Sequence, residues 1–144
     1  MADIPNGYQE KIENILGASF DRQGRLDLSF EYDTVDEAKQ LKKKMILMQK
    51  QLRAVKKEAN MDMKLIRSKY QQERAKVADS GFFTGLFAGK KAAGRVRQTK
   101  RQDLAMRQKN ELAPYENVKS IIDSILLEMD RIKMETDTFV LEES

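Results

Sequence analysis

The stretch from Thr34 to Ala78 contains neither proline nor glycine, and its apolar residues recur at helical spacing. As far as Val55 they alternate at intervals of three and four residues, which is the spacing of a heptad coiled coil. The apolar positions are Ala38, Leu41, Met45, Met48, Leu52, Val55, Ala59, Met63, Ile66, Tyr70 and Val77. A helix of this length gains most of its stability from packing its apolar face. The sequence therefore predicts one long helix that needs a partner along this stripe.

Two helix starts are visible in the sequence. Thr34 and Glu37 have the spacing of a capping box, in which each side chain accepts a hydrogen bond from a backbone N–H group. Closer to the N-terminus, a short apolar pattern from Tyr8 to Leu16 predicts a second, shorter helix. Asn6 is the expected N-cap of that helix, and Gly17 is the expected residue that ends it.

Residues 18–32 have the pattern of a β-hairpin. The apolar positions that alternate with polar ones are Leu26, Leu28, Phe30 and Tyr32. This alternation is typical of a half-buried strand, residues 21–24 suit a tight turn, and 18–20 would form the partner strand. Because an isolated two-stranded hairpin is marginal in water, we expect it to pack on the long helices or to pair with another chain. The predicted N-terminal domain is residues 1–33.

A second apolar stripe runs from Tyr115 to Phe139 with three-four spacing. Ile121 and Leu126 make it wider than contact with one helix requires. Besides the long helix, its candidate neighbours are the N-terminal helix, the β-hairpin and a second copy of the chain. The residues predicted to mediate self-association are Ile121, Ile122, Ile125, Leu126, Met129 and Ile132. Just before the stripe, residues 113–114 (Ala-Pro) predict a kink or a brief break, because proline does not fit a helix interior.

Residues 80–91 separate the two stripes and hold three glycines and three phenylalanines. We interpret this segment as the tip at which the chain reverses direction. The predicted fold is therefore mainly α, with a small base made of the N-terminal helix and β-hairpin. The rest, residues 34–144, is predicted to be a long antiparallel, coiled-coil-like helical hairpin.

Charge is strongly segregated along the chain, although the net charge is only +4. Residues 1–37 carry nine acids and three bases, and residues 113–144 carry eight acids and three bases. Residues 38–78 carry thirteen bases and three acids, and residues 79–112 carry eight bases and three acids. A reversal at the tip would place the acidic C-terminal helix beside the basic first half of the long helix, which favours the antiparallel pairing.

The sequence lacks the residues that several classes of function require. The chain has no cysteine and no histidine, so it cannot form a disulfide, a thiolate metal site or a histidine general base. Residues 85–91 do not have the spacing of a phosphate-binding loop. We expect no enzyme activity and no cofactor. No apolar run reaches the roughly 18 residues of a membrane-spanning helix, and no signal-peptide pattern is present, so we expect a cytoplasmic protein.

The tip is the first candidate contact surface, because aromatic side chains are followed at once by cations. The predicted contact residues are Phe82, Phe83, Leu86, Phe87, Lys90, Lys91, Arg95 and Arg97. This combination suits a protein partner or the surface of an anionic membrane. The alternative is a turn that packs on itself and covers the end of the hairpin.

The basic residues that follow the tip are the second candidate. The predicted phosphate contacts are Lys100, Arg101, Arg107 and Lys109. No nucleic-acid-binding motif accompanies them, so charge alone predicts at most binding that is independent of sequence, and a solvated helix surface is the alternative. The expected function is a non-catalytic interaction or scaffold protein that self-associates and presents its tip to a protein partner. Peripheral membrane binding is the first alternative, and non-specific nucleic-acid binding is the second.

Overall fold

The computed structural model describes residues 4–17, 30–88 and 90–144, and the side chains of these except at 78–94 and 97. It contains α1 (Tyr8–Leu16), α2 (Val35–Ala88) and α3 (Lys90–Glu143), so the chain is mainly α, as predicted. The predicted β-hairpin lies outside the described residues except for 30–32, which form neither helix nor strand. The chain divides into two compact units, unit 1 (Met1–Ala59 and Glu116–Ser144) and unit 2 (Asn60–Tyr115).

The ends of α1 are set by two glycines. Gly7, and not the predicted Asn6, occupies the N-cap position with a φ of 93°, and no side chain caps the helix there. Gly17 ends α1 as predicted, with a φ of 65° and its N–H donating to the carbonyl oxygen of Glu13. Both φ values lie in the left-handed region, which glycine adopts without a steric penalty.

The start of α2 confirms the predicted capping box. The Oγ1 atom of Thr34 accepts a hydrogen bond from the Glu37 N–H at 3.2 Å. The Oε2 atom of Glu37 accepts one from the Asp33 N–H at 2.9 Å, one residue earlier than in the usual box. Two backbone donors that have no partner within the helix are thereby satisfied.

The core of unit 1 is built from three helical segments. α1 contributes Tyr8, Ile12 and Leu16. The first part of α2 contributes Ala38, Leu41, Met45, Met48, Leu52, Val55 and Ala59, which are the predicted stripe positions. The last part of α3 contributes Val118, Ile121, Ile122, Ile125, Met129 and Ile132. All three segments belong to the same compact unit.

The residues of this stripe that were predicted to mediate self-association are buried within the single chain. Ile121, Ile122, Ile125, Met129 and Ile132 are at most 5% exposed in the single chain, and Leu126 is half-buried. These side chains therefore belong to the core of unit 1 in the single chain, and self-association through them stays a prediction. α1 also contributes three buried residues, Tyr8, Ile12 and Leu16, to unit 1.

Polar contacts join α2 and α3 within unit 1 in a regular order. Lys42 pairs with Asp137 at 2.6 Å, Gln49 bonds to Asp130 at 2.7 Å, and Lys56 pairs with Asp123 at 2.6 Å. The partner numbers on α3 fall as those on α2 rise. The predicted meeting of basic α2 with acidic α3 is present in these contacts.

α3 passes through Pro114 without a break, and the predicted kink stays a prediction. Proline costs the helix one backbone hydrogen bond, because it has no N–H to donate to the carbonyl four residues earlier. Buried residues lie on both sides of it, Leu104 in unit 2 and Val118 in unit 1, and their packing offsets that loss.

Candidate functional site

The predicted tip is largely helical. α2 continues through Gly81 and Gly85 to Ala88, and α3 begins at Lys90. A glycine inside a helix costs roughly 1 kcal/mol relative to alanine, which is why the sequence favoured a loop here. The side chains of Phe82, Phe83, Leu86, Phe87, Lys90, Lys91 and Arg97 lie outside the described residues. The prediction that they contact a partner or a membrane stays a prediction.

Arg95 is the member of the predicted contact set whose side chain the structure describes, and it is exposed on α3. Its carbonyl oxygen accepts a hydrogen bond from Thr99 Oγ1 at 3.0 Å. Such a bond satisfies the threonine hydroxyl within the helix. Arg95 therefore lies in a regular turn of α3.

The predicted phosphate contacts Lys100, Arg101, Arg107 and Lys109 are all exposed on α3. Two of them, Lys100 and Arg107, line an open groove of about 290 Å³ in unit 2. The other residues of the groove are Glu73, Lys76, Val77, Asp103 and Leu104. Arg101 and Lys109 lie elsewhere on the helix surface. The structure therefore brings together half of the predicted set.

The charge of this groove is mixed. Lys76, Lys100 and Arg107 supply three cations, whereas Glu73 and Asp103 supply two carboxylates. Arg107 already pairs with Asp103 at 3.1 Å. An anion in the groove would therefore meet the two lysines first, and it would compete with Asp103 for the guanidinium.

Tyr70 and Glu111 form a polar contact between the two helices of unit 2. The Tyr70 hydroxyl donates to Glu111 Oε1 at 2.8 Å, and the Lys69 ammonium lies 3.4 Å from the same oxygen. Burial, followed by the hydrogen bond and the negative charge of Glu111, raises the pKa of Tyr70 to about 12. The tyrosine therefore stays protonated and keeps donating over the whole physiological range.

Unit 2 is a basic surface on a small core. Its buried side chains, among those that the structure describes, are Met63, Tyr70 and Leu104. The exposed cations are Lys64, Arg67, Lys69, Arg74, Lys76, Arg95, Lys100, Arg101, Arg107 and Lys109. Within the described residues, Lys69 and Arg107 are the two of these that form ion pairs with carboxylates. Most of the basic charge is thus directed to solvent.

Sequence reasoning missed a buried polar cluster in unit 1 that is centred on Gln49. This side chain is 1% exposed, and its Nε2 donates to Asp130 Oδ1 at 2.7 Å and to the Leu126 carbonyl at 3.3 Å. The Lys133 ammonium donates to Gln49 Oε1 at 2.9 Å. Its position in the sequence could have indicated burial, because Gln49 lies beside Met48 and three residues before Leu52 on the apolar stripe.

Two further observations concern the described residues as a whole. They contain no group of three or more acidic side chains placed to hold a metal ion. No helix among them has a stretch that is both long and apolar enough to cross a membrane. Comparisons of the chain with known protein families, with curated proteins and with solved structures found no match.

Proposed function

We propose that this chain is a non-catalytic interaction protein whose basic unit 2 binds an acidic surface on a protein partner. The exposure of ten described cations on α2 and α3, around a core of three buried side chains, supports this proposal. Charge of one sign on a surface steers an oppositely charged partner and suppresses others. The aromatic residues at 82–87 would supply the apolar part of the contact, as buried aromatic anchors do at other interfaces.

We also propose that α2 and α3 form an antiparallel coiled-coil hairpin that carries this surface. The reversed order of the contacts Lys42–Asp137 and Lys56–Asp123 supports it, as does burial of the predicted stripes in unit 1. Spin labels at cysteines introduced in place of Lys43 and Thr138, and separately Lys57 and Ser124, test the direction. Short distances for both pairs are expected, and a long distance for either pair contradicts the antiparallel arrangement.

The partner experiment compares variants of the full chain as bait in an extract of the native host. The test variants are Lys100→Gln with Arg101→Gln, and Phe82→Ser with Phe83→Ser. The control, Lys43→Gln with Lys57→Gln, removes the same charge from exposed positions of unit 1. The proposal expects one protein to be captured by the wild type and the control and lost with both test variants. Equal capture by all four baits contradicts it.

The two alternatives are tested with the same variants. Vesicles of phosphatidylcholine with and without phosphatidylserine test an anionic membrane, which would bind the wild type only when the anionic lipid is present. DNA and RNA titrations at several salt concentrations test phosphate binding, for which the salt slope should shrink in the Lys100→Gln, Arg101→Gln variant. Lipid or nucleic-acid binding without capture of a protein would replace the proposed function. We infer a cytoplasmic location from the lack of cysteine, and fractionation of cells tests it.

A further inference from the structure

One side of unit 1 carries exposed apolar side chains that the predicted fold does not use. On α3 they are Leu127, Met134 and Leu141, which are 72%, 70% and 78% exposed and lie seven residues apart. On α2 the corresponding residue is Ile46, which is 48% exposed. We call these four residues the exposed row. A seven-residue interval keeps side chains on one side of a helix, as in coiled coils.

The exposed row lies on the side of unit 1 where α2 and α3 exchange polar contacts. Residues three or four positions apart share a side of a helix. Ile46 is four residues from Lys42, and Met134 is four residues from Asp130 and three from Asp137. Because Lys42 contacts Asp137, Ile46 lies next to these polar contacts on α2 and Met134 lies next to them on α3.

α1 covers a different side of α2. Lys11 pairs with Glu58 at 2.7 Å, and Glu58 is sixteen residues from Lys42. At 3.6 residues per turn, that separation is a rotation of about 160° around α2. The part of the chain that the structure describes therefore leaves the exposed row open, while α1 occupies the opposite flank.

The charges beside the exposed row differ in sign between the two helices. Residues 38–59 of α2 contain eight bases and one acid, and residues 116–144 contain eight acids and three bases. Lys39 and Lys50 are exposed, and their helical positions place them on the same flank of α2 as Ile46. Long lysine stems can cover apolar side chains while their ammonium groups reach carboxylates. The surface of α2 is therefore complementary to the surface of α3.

We propose that the exposed row binds a second copy of this chain, with α2 of one copy lying against α3 of the other. A two-fold axis parallel to the helices places each basic α2 segment on an acidic α3 segment and makes the contact self-complementary. The perpendicular two-fold axis would set α2 against α2, where like charges repel. The resulting assembly is a four-helix arrangement in which basic and acidic segments alternate.

This dimer is independent of the acidic partner proposed for unit 2. Its residues lie in unit 1, and its interface differs from the buried stripe from which self-association was expected. A wild-type chain that dimerises but captures no partner would contradict only the proposed function. A monomeric protein that still captures its partner would contradict the dimer alone.

Sedimentation equilibrium of the full chain tests the proposal at concentrations up to about 100 µM, where contacts with micromolar Kd assemble. The wild type is expected to reach twice the chain mass of 16.7 kDa. Leu127→Ser with Met134→Ser, and separately Lys39→Glu with Lys50→Glu, are expected to weaken dimerisation at least tenfold. Raising the salt from about 50 to about 500 mM should also weaken it, since exposed charges become screened.

The matched control is Met61→Ser with Leu65→Ser, because these side chains are 58% and 70% exposed but lie in unit 2. This variant should dimerise as the wild type does. Circular dichroism of every variant separates loss of the contact from loss of the fold. A wild type that stays monomeric overturns the proposal, as does a dimer that survives both test variants unchanged.

Discussion

Gln49 of α2 and Asp130 of α3 are joined by a 2.7 Å hydrogen bond, although Gln49 is buried and Asp130 is half exposed. Burying an amide side chain costs free energy unless its donor and acceptor atoms all form hydrogen bonds. Both of its hydrogen-bonding atoms are used here, through Asp130, Leu126 and Lys133. A slip of α2 by one turn would bury the amide without these partners, so Gln49 helps to fix the register of the two helices.

Replacing Gln49 should therefore cost stability in a way that depends on the new side chain. Gln49→Ala removes three hydrogen bonds and leaves a cavity, and it should lower the free energy of unfolding by about 2–3 kcal/mol. Gln49→Leu fills the space and should cost less. Urea denaturation measures both. Gln51→Ala, at an exposed position of the same helix, is the control and should change little; an equal loss in both alanine variants would contradict this account.

The acid stability of the protein should depend on Asp130. Its pKa is lowered by the hydrogen bond from Gln49 and by the charges of Lys133 and Arg53, which partial burial opposes. A carboxyl whose pKa falls on folding stabilises the protein above its unfolded pKa, and that contribution is lost as the pH falls through the folded pKa. Denaturation of the wild type and Asp130→Asn from about pH 7 to about pH 2 should give a difference in unfolding free energy that shrinks below about pH 4. A constant difference would contradict the prediction.

Alkaline stability should depend on Tyr70. Because its pKa rises to about 12 in the folded protein, the stabilisation is complete below about pH 10 and is lost as the pH rises from there through the folded pKa. The difference between the absorbance titrations of the wild type and Tyr70→Phe at the phenolate band should show one tyrosine with a midpoint near 12. Tyr70→Phe should also lower the urea midpoint at neutral pH, since Glu111 loses its hydroxyl donor. A midpoint near that of a free tyrosine would show that the contact with Glu111 is absent.

The cap at the start of α2 offers a matched pair of threonine substitutions. Thr34→Ala removes the acceptor for the Glu37 N–H and should lower the free energy of unfolding by about 1 kcal/mol. Thr138→Ala removes a hydroxyl that only bonds to the Met134 carbonyl within α3, and it should be neutral or slightly stabilising. Thermal and urea denaturation measure both. Equal effects of the two substitutions would show that the cap does not stabilise α2.

The parts of the fold that the sequence predicted are those in which apolar periodicity has one physical solution. The α2 stripe from Ala38 to Ala59 is buried as expected, because three-four spacing can be satisfied only by a packed helix. The capping box at Thr34 was also predictable, since it needs only local chemistry. Neither required knowledge of which segment would be the neighbour.

The parts that the sequence did not predict depend on neighbours. The wide α3 stripe allowed several neighbours, and the burial of Ile121 and Ile125 within the chain could not be distinguished from burial in a dimer by pattern alone. Gln49 was overlooked because a polar side chain is assigned to the surface unless its partners are known. At Gly81 and Gly85 the local cost of glycine suggested a loop, whereas the structure continues the helix.

α3 lacks one backbone hydrogen bond at Pro114, because proline has no N–H group. This position is two residues before Glu116, where the second segment of unit 1 begins. Among the described side chains, unit 2 buries three apolar or aromatic residues, whereas unit 1 holds the rest of the core. We therefore expect unit 2 to open more readily than unit 1, whose larger core can remain intact. Amide hydrogens of unit 2 should exchange with solvent sooner than those of unit 1, and the basic surface could then rearrange around the acidic partner proposed for it without global denaturation.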